Sequence, residues 1–209
     1  MATVLLIDDH DIVRFGIATL MRAAGLDVVA SANSLEAGLA AIDELHPDLV
    51  VTDMGTGDSQ GLDTVRRVVA AHGPRPVLVV SMQDELLYGE RVLALGAAGY
   101  VMKETAHANV VPAAHAALAG RKWLSPALVD QLAAKAARRR GGVPSSAQDQ
   151  LTGRELEILE LLKLGKSTKE IATALCLSVR TVDSHRANLK HKLELRTGAE
   201  LIAFASTRL

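Results

Sequence analysis

The stretch Leu49-Val50-Val51-Thr52-Asp53 decides the fold. Leu49, Val50 and Val51 run without polar alternation, the pattern of a strand buried on both faces of a parallel sheet. Asp53 ends that strand. The following Met54-Gly55-Thr56-Gly57-Asp58-Ser59 is too rich in glycine and small polar residues to continue it, so it reads as a loop leaving the strand's carboxyl end. Ligands of open α/β sheets bind at that edge. Alone, Asp53 is a turn residue closing a strand; its weight comes from what the rest of the chain brings to the same edge.

Working outward, residues 4–7 form an earlier apolar run ending in Asp8, Asp9 and His10, followed at helical spacing by Ile12, Phe15, Leu20 and Met21. Residues 28–30 predict another strand, and Ser34 caps a helix carrying Leu35, Leu39, Ile42 and Leu45. After Asp53 come a helix marked by Leu62, Val65, Val68 and Val69, a strand at 77–80 ending on Ser81, and a helix through Leu86 and Val92. A last strand, 99–102, ends on Lys103 and leads to a helix through Val110, Val111, Ala114 and Leu118. Five strand-helix units in succession call for a five-stranded parallel, doubly wound α/β sheet with helices on both faces.

In that topology the first and third strands are neighbours, so Asp8, Asp9 and Asp53 converge. Three carboxylates in one pocket repel one another unless a cation neutralises them, and hard oxygen ligands suit Mg²⁺. Ser81 and Lys103 add a hydroxyl and a cation at the same rim. Singly these are a turn aspartate, a capping serine and a surface lysine. Five polar residues all at strand carboxyl ends make a site.

The back of the chain differs in charge. Residues 1–129 carry 9 Lys+Arg against 15 Asp+Glu, whereas residues 151–209 carry 10 against 7. That asymmetry points to two domains, the first suited to cations and the second to phosphates. Between them, Ser125-Pro126 opens a helix ending in the basic triplet 138–140, read as a solvated helix end, and the polar, proline-containing stretch 143–150 has linker composition. Thr152 with Glu155 and Ser167 with Glu170 are capping boxes opening two helices; a third starts near Val179, with an apolar face of Val179, Val182, Leu189 and Leu193, and a last one contains Leu201 and Ile202. The single cysteine, Cys176, cannot form an internal disulfide and is read as a small buried hydrophobe. His10, His46, His72, His107 and His115 show no ligand spacing and are assigned no metal. With neither a signal-like amino terminus nor an apolar run of membrane-spanning length, the expectation is a cytoplasmic protein with no membrane partner.

Residues 1–124 resemble a response-regulator receiver domain, with the acidic pair Asp8 and Asp9, phosphoacceptor Asp53, switch hydroxyl Ser81, switch aromatic Tyr100 and lysine Lys103 at their motif positions. Residues 151–209 resemble a LuxR-type helix-turn-helix domain, carried by LTGRELEILELLKLGKSTKEIATALCLSVRTVDSHRANLKHKL. The resemblance implies a NarL/FixJ-type regulator: a flavodoxin-like receiver domain (1–124), a helical linker with a flexible end (125–150) and a small all-α four-helix DNA-binding domain (151–209). It implies that Asp53 takes a phosphoryl group from a sensor histidine kinase, and that Mg²⁺ is held by Asp9, Asp53 and the backbone carbonyl of Gly55, with Asp8 acting through water. It further implies a homodimer binding double-stranded promoter DNA, and a chain that is not an enzyme beyond assisting its own phosphorylation and dephosphorylation.

On the DNA side, Lys166, Lys169, Arg186 and Lys190 fall where phosphates are clamped, with Ser178, Thr181 and His185 nearby, while Asp183, Ser184 and Ala187 occupy the base-facing positions. None of those three is an arginine, which leaves readout to Asp183, hydroxyls and DNA shape. Four positions depart from the family pattern: Gly57 stands in place of proline in a loop expected to be flexible, Met82 beside Ser81 is expected to crowd the site, Glu104 replaces proline after Lys103, and Gly153 replaces proline. Two rivals remain at this stage, a Mg²⁺-dependent phosphatase and a phosphorylation-independent DNA binder whose receiver only dimerises.

Overall fold

The computed structural model describes residues 1–140, 150–175 and 177–208. The stretch expected as a flexible linker lies outside these residues apart from Gln150, as does Cys176. The strands are β1 (Thr3–Ile7), β2 (Asp27–Ala32), β3 (Leu49–Thr52), the two-residue β4 (Gly55–Thr56) and β5 (Ser59–Gln60), β6 (Val77–Ser81) and β7 (Gly99–Met102). Five of them form a parallel sheet in the order β2-β1-β3-β6-β7, with β3 at its centre. Reversal of strand order beside β1 and β3 is what opens a crevice at their carboxyl ends.

Alternation along these strands feeds two cores. Val4, Leu6, Leu49, Val51, Leu78 and Val80 pack with residues of α1 (Asp11–Ala23) and α5 (Ala106–Leu118) on one face. Leu5, Ile7, Val50 and Val77 pack with Leu35 and Ile42 of α2 (Leu35–Leu45) and Val68 of α3 (Leu62–His72) on the other. Each fully buried aliphatic side chain is worth roughly 1.5–3 kcal/mol, which is how a chain so poor in aromatics holds together. Gly38 lets α2 approach β1 closely, since a Cβ there would lie 2.5 Å from Ile7 Cδ1. α5 runs through Pro112, giving up one helical hydrogen bond. Ala113, Ala114 and Ala117, all buried, pack that helix on the sheet.

The segment after Asp53 is no loose loop. β4 and β5 pair antiparallel, Thr64 Oγ1 donates to Ser59 Oγ at 2.8 Å, and the Gly57 N–H donates to Asp9 Oδ2 at 3.1 Å. Asp58 accepts the N–H groups of Leu35 at 2.8 Å and Glu36 at 3.0 Å, capping α2 from 23 residues away. Burial pushes the Asp58 pKa up, but those two N–H groups, together with the Thr56 hydroxyl and its own backbone N–H, hold it below the usual carboxylate value. The expected flexibility is corrected by these ties, which composition does not reveal.

α4 (Glu85–Ala94) and α6 (Pro126–Arg140) complete this part. The chain divides into two compact units, Met1–Ala134 and Lys135–Leu209, so the first unit runs past the expected boundary at 124. The second unit holds α7 (Gly153–Lys163), α8 (Thr168–Ala174), α9 (Val179–Lys192) and α10 (Gly198–Arg208). Both capping boxes form as the spacing predicts. Val182, Leu189 and Leu193 are buried as expected, but Val179 is 43% exposed, because it sits in the first turn of α9 on the solvent side. Among the described residues no helix is long and apolar enough to cross a membrane.

Candidate functional site

β1 and β3 pair in register from Val4 with Leu49 to Ile7 with Thr52, so the residues that follow each strand emerge together. Asp53 is anchored by its N–H, which donates to Ile7 O at 2.8 Å, and Asp8 by its own, which donates to Ala32 O at 3.1 Å. Both are buried. Lys103, just past β7, reaches in from the far side of the sheet. Its Nζ lies 2.6 Å from Asp53 Oδ2 and 2.7 Å from Asp8 Oδ2, with only 5% of its side chain exposed. The Met54 N–H donates to Asp53 Oδ1 at 2.6 Å.

Burial dominates the Asp53 carboxyl and pushes its pKa above the usual range, against the opposing pull of Lys103. Burial pulls Lys103 the other way, but its bonds to Asp53 and Asp8 prevail and hold it above the ordinary lysine value. The pocket therefore keeps a charged lysine beside a carboxylate whose charge is held at some cost. A cation entering between Asp8, Asp9 and Asp53 relieves that cost.

Asp8, Asp9, His10 and Asp53 each offer a ligand atom within 4.8 Å of the others. The carboxylates fit a hard divalent cation, and Asp9, a third exposed, opens the cluster to water. His10 stands beside the acidic pair: its Nδ1 lies 2.7 Å from Asp9 Oδ1 and 3.1 Å from Asp8 Oδ1. Its signal was adjacency to the acidic pair. Arg14, also passed over, donates to the Asp8 carbonyl and bridges to Asp11. Gly55 runs beside the pocket, where a Cβ would lie 3.9 Å from Asp53 Oδ2.

Ser81 and Tyr100 meet at one residue, Gln83. Ser81, 3% exposed, accepts the Gln83 N–H at 3.4 Å, and Tyr100, 1% exposed, donates its hydroxyl to the Gln83 carbonyl at 2.7 Å. Met82 is 62% exposed, so its bulk lies on the surface instead of crowding the pocket as expected. The bond before Glu104 is trans.

In the second unit Ser178 caps α9, accepting the Thr181 N–H at 3.0 Å. Asp183, Ser184 and Ala187 are exposed, and so are Arg180, Asn188 and His191, a stripe at helical spacing along one side of α9. Arg180 is the residue the sequence reading missed: it lies one turn before Asp183 on this stripe. Thr181, His185 and Lys190 are half-buried, whereas Lys166 and Lys169 beside and on α8 are exposed. Arg186 is drawn inward, donating to Thr168 Oγ1 of α8 at 2.6 Å. A cleft of about 390 Å³ beside it is lined by Thr168, Asp183, Arg186, Lys190 and Leu201 among others.

A parallel α/β domain with a lysine-closed acidic pocket, carried in one chain with a four-helix unit that exposes one stripe of its third helix, defines a signal receiver joined to a DNA reader. Residues 4–115 match the response regulator receiver domain, and residues 149–205 match the bacterial regulatory proteins of the luxR family. The chain belongs to the two-component response regulators of this NarL/FixJ type, a family of DNA-binding transcription regulators. It is 34% identical over 206 residues to the response regulator GacA of Pseudomonas viridiflava, covering 98% of this chain and 95% of that one. It is 35% identical over 204 residues to the transcriptional activator protein ExaE of Pseudomonas putida, covering 97% and 94%. Among solved structures, RcsB of Salmonella enterica serovar Typhimurium, bound to promoter rprA with phosphomimetic BeF₃⁻, aligns with a TM-score of 0.69 at 25% identity, covering 99% of this chain and 98% of that chain. A LuxR-family two-component response regulator from Aurantimonas sp. SI85-9A1 aligns at 0.60 with 32% identity, over 66% of this chain and 99% of that one.

Proposed function

We propose that Asp53 is the phosphoacceptor and that its phosphorylation by a sensor histidine kinase, in the cytoplasm, sets the affinity of a dimer of this chain for paired half-sites in promoter DNA. The observation that carries this reading is Lys103 Nζ, buried between Asp53 and Asp8 at 2.6 and 2.7 Å. In the transfer an Asp53 oxygen bonds to phosphorus as the bond from phosphorus to the kinase histidine nitrogen breaks. The electron pair stays on that nitrogen. Lys103 offers a fixed cation to the charge spreading over the phosphoryl oxygens, and needs no reorganisation to do so. Mg²⁺, when held by Asp9, Asp53 and the Gly55 carbonyl, with Asp8 acting through water, supplies further neutralisation of those oxygens.

The acyl phosphate adds acceptor oxygens that draw the Ser81 hydroxyl inward, and Tyr100 then has room to turn. On DNA, the exposed stripe of α9 enters the major groove, with Asp183, Ser184, Ala187 and Arg180 toward the bases. Lys166, Lys169 and Lys190, with the capping turn at Ser178 and Thr181 and with His185, face phosphates, and Arg186 braces α9 against α8. The test is a DNA titration of the full chain and of Asp53→Asn at fixed salt, with and without Mg²⁺ and acetyl phosphate. The expected gain for the unaltered protein is on the order of 5–150-fold, and none for Asp53→Asn. Equal gains would remove Asp53 as the switch. No gain in either would favour a phosphorylation-independent binder.

A further inference from the structure

Of the three carboxylates in the pocket, Asp9 is held differently from the other two. Lys103 Nζ bonds Asp53 and Asp8, and both of those carboxylates are buried. Asp9 keeps a third of its side chain in solvent. Its Oδ1 lies 2.7 Å from Nδ1 of the exposed His10, and its Oδ2 accepts the Gly57 N–H at 3.1 Å. The backbone donor that fixes Asp9 thus comes from the turn between β4 and β5, whose two residues are Gly57 and Asp58. That donor is a property of this sequence. The family pattern places proline where Gly57 stands, and proline has no N–H to give.

Asp58 fixes where that donor sits. Its Oδ1 accepts the Leu35 N–H at 2.8 Å and its Oδ2 the Glu36 N–H at 3.0 Å, two of the groups that a helix start leaves without partners. Ser34 already caps α2 by accepting the Ala37 N–H at 3.2 Å, so Asp58 tethers the hairpin tip to a helix that has its own start signal. α2 is in turn fixed to the sheet, with Leu35 fully buried and Gly38 set against Ile7. Ile7 ends β1, and Asp9 follows two residues later. The ties close a circuit from β1 through α2, Asp58 and Gly57 back to Asp9.

Groups that hydrogen-bond to a metal ligand set its orientation, and with it the strength of binding. We propose that Gly57 and Asp58 are positioning residues for the pocket's divalent cation: the Gly57 N–H orients Asp9, Asp58 holds that N–H in place from α2, and the affinity for Mg²⁺ depends on both. The proposal rests on the acidic pocket being the Mg²⁺ site of the receiver. Both residues act through Asp9, so their loss should show first in the cation and only through it in phosphoryl transfer.

Titration of the full chain with Mn²⁺, read from the EPR signal of the free ion, with Mg²⁺ as competitor, tests it. Gly57→Pro, which removes the N–H, should weaken Mg²⁺ binding about tenfold, the low end of the loss expected when a partner of a metal ligand is removed. Gly57→Ala keeps the N–H, with its Cβ 4.0 Å from Asp9 Oδ2, and should recover most of that affinity. Asp58→Ala should show part of the same loss, and Ser34→Ala, which damages the same helix end without touching the hairpin, should show none. With acetyl phosphate as donor and phosphorylation read from intact mass, the half-saturating Mg²⁺ concentration should rise in Gly57→Pro and Asp58→Ala by more than the rate at saturation falls. Unaltered affinity in Gly57→Pro, or equal losses in Gly57→Pro and Gly57→Ala, would overturn the role of the N–H. Equal affinities in Asp58→Ala and Ser34→Ala would overturn that of Asp58, and this pair decides alone if Gly57→Pro does not fold. Failure of the unaltered chain to bind either ion would overturn the metal reading together with the proposal.

Discussion

The two functional regions of this chain are built on opposite plans. The pocket draws its groups from residues 8, 9, 53 and 103, scattered along the chain and joined only by sheet topology, and buries most of them. The exposed stripe of α9 spans residues 180–191, needs nothing but helical period to align it, and leaves its side chains in water. Charge is strong in the first because low dielectric leaves it unscreened, and weak in the second because solvent and salt surround it. Substitutions should therefore cost stability in the pocket and binding on the stripe.

The largest effect is expected at Lys103. Lys103→Met removes the partner of two buried carboxylates, a change that costs about 3–5 kcal/mol when a buried pair is broken. Urea unfolding of the full chain at neutral pH, without divalent cations, should show it in the transition of the first unit. Saturating Mg²⁺ should recover part of the loss, about 2.7 kcal/mol at a hundred times its dissociation constant. A loss below about 1 kcal/mol would mean that the pair behaves as a surface pair, and the contrast between the regions would collapse.

His72 sharpens the same point within the first unit, because it is buried without a partner. It is 1% exposed, and neither ring nitrogen has a hydrogen-bond partner among the described residues. Burial, with the positive charge of Arg75 acting alongside and Asp48 opposing, pulls its pKa down from 6.5 to about 4. Between those values the unfolded chain holds a proton that the folded chain does not, so stability falls as pH falls through the interval. The slope is at most about 1.4 kcal/mol per pH unit, reaching roughly 3 kcal/mol near pH 4. Urea midpoints from pH 7 to 4 should show this slope in the unaltered protein and a flatter one in His72→Leu; parallel curves would assign the acid sensitivity to other groups.

What could be read from the sequence follows the same division. The strands, the sheet topology and the convergence of Asp8, Asp9 and Asp53 were legible because unalternated apolar runs ending on carboxylates leave few arrangements. Ties that cross between elements were not. Asp58 capping α2, Gly57 holding Asp9 and Leu128 filling the place beside Gly89 depend on which loop passes which helix, and neither period nor composition carries that. His10 was discounted for lack of ligand spacing, although its neighbours in sequence are its partners in space. On α9 the positions that the resemblance assigns to Asp183, Ser184 and Ala187 do lie outward, whereas Arg180, in the first turn of the helix that begins at Val179, was not singled out although it shares their side.

Arg180 and Arg186 give the smallest and most discriminating test, since they lie on one helix with different surroundings. Arg180 is exposed on the stripe, its guanidinium makes no hydrogen bond or ion pair among the described residues, and its backbone carbonyl accepts the Ser184 hydroxyl at 3.0 Å. Arg186 spends its Nη1 on Thr168 of α8 at 2.6 Å. A free guanidinium that meets a phosphate releases a counterion, and losing it should lower the salt slope of binding by about 0.9. One that meets a base instead contributes discrimination of about 1–3 kcal/mol. We therefore expect Arg180→Ala to weaken promoter binding about tenfold, near 1.4 kcal/mol, with either a lower salt slope or a broadened sequence preference. Arg186→Ala should weaken binding to all sequences with the salt slope unchanged, and should lower the melting temperature of the second unit, because it loosens the angle between α8 and α9. Titrations of both variants against specific and scrambled duplexes at several salt concentrations separate these outcomes. A fall in salt slope at Arg186 with none at Arg180 would show that Arg186 leaves Thr168 to meet DNA, and that even on an exposed helix the partner seen in the free protein is exchanged on binding.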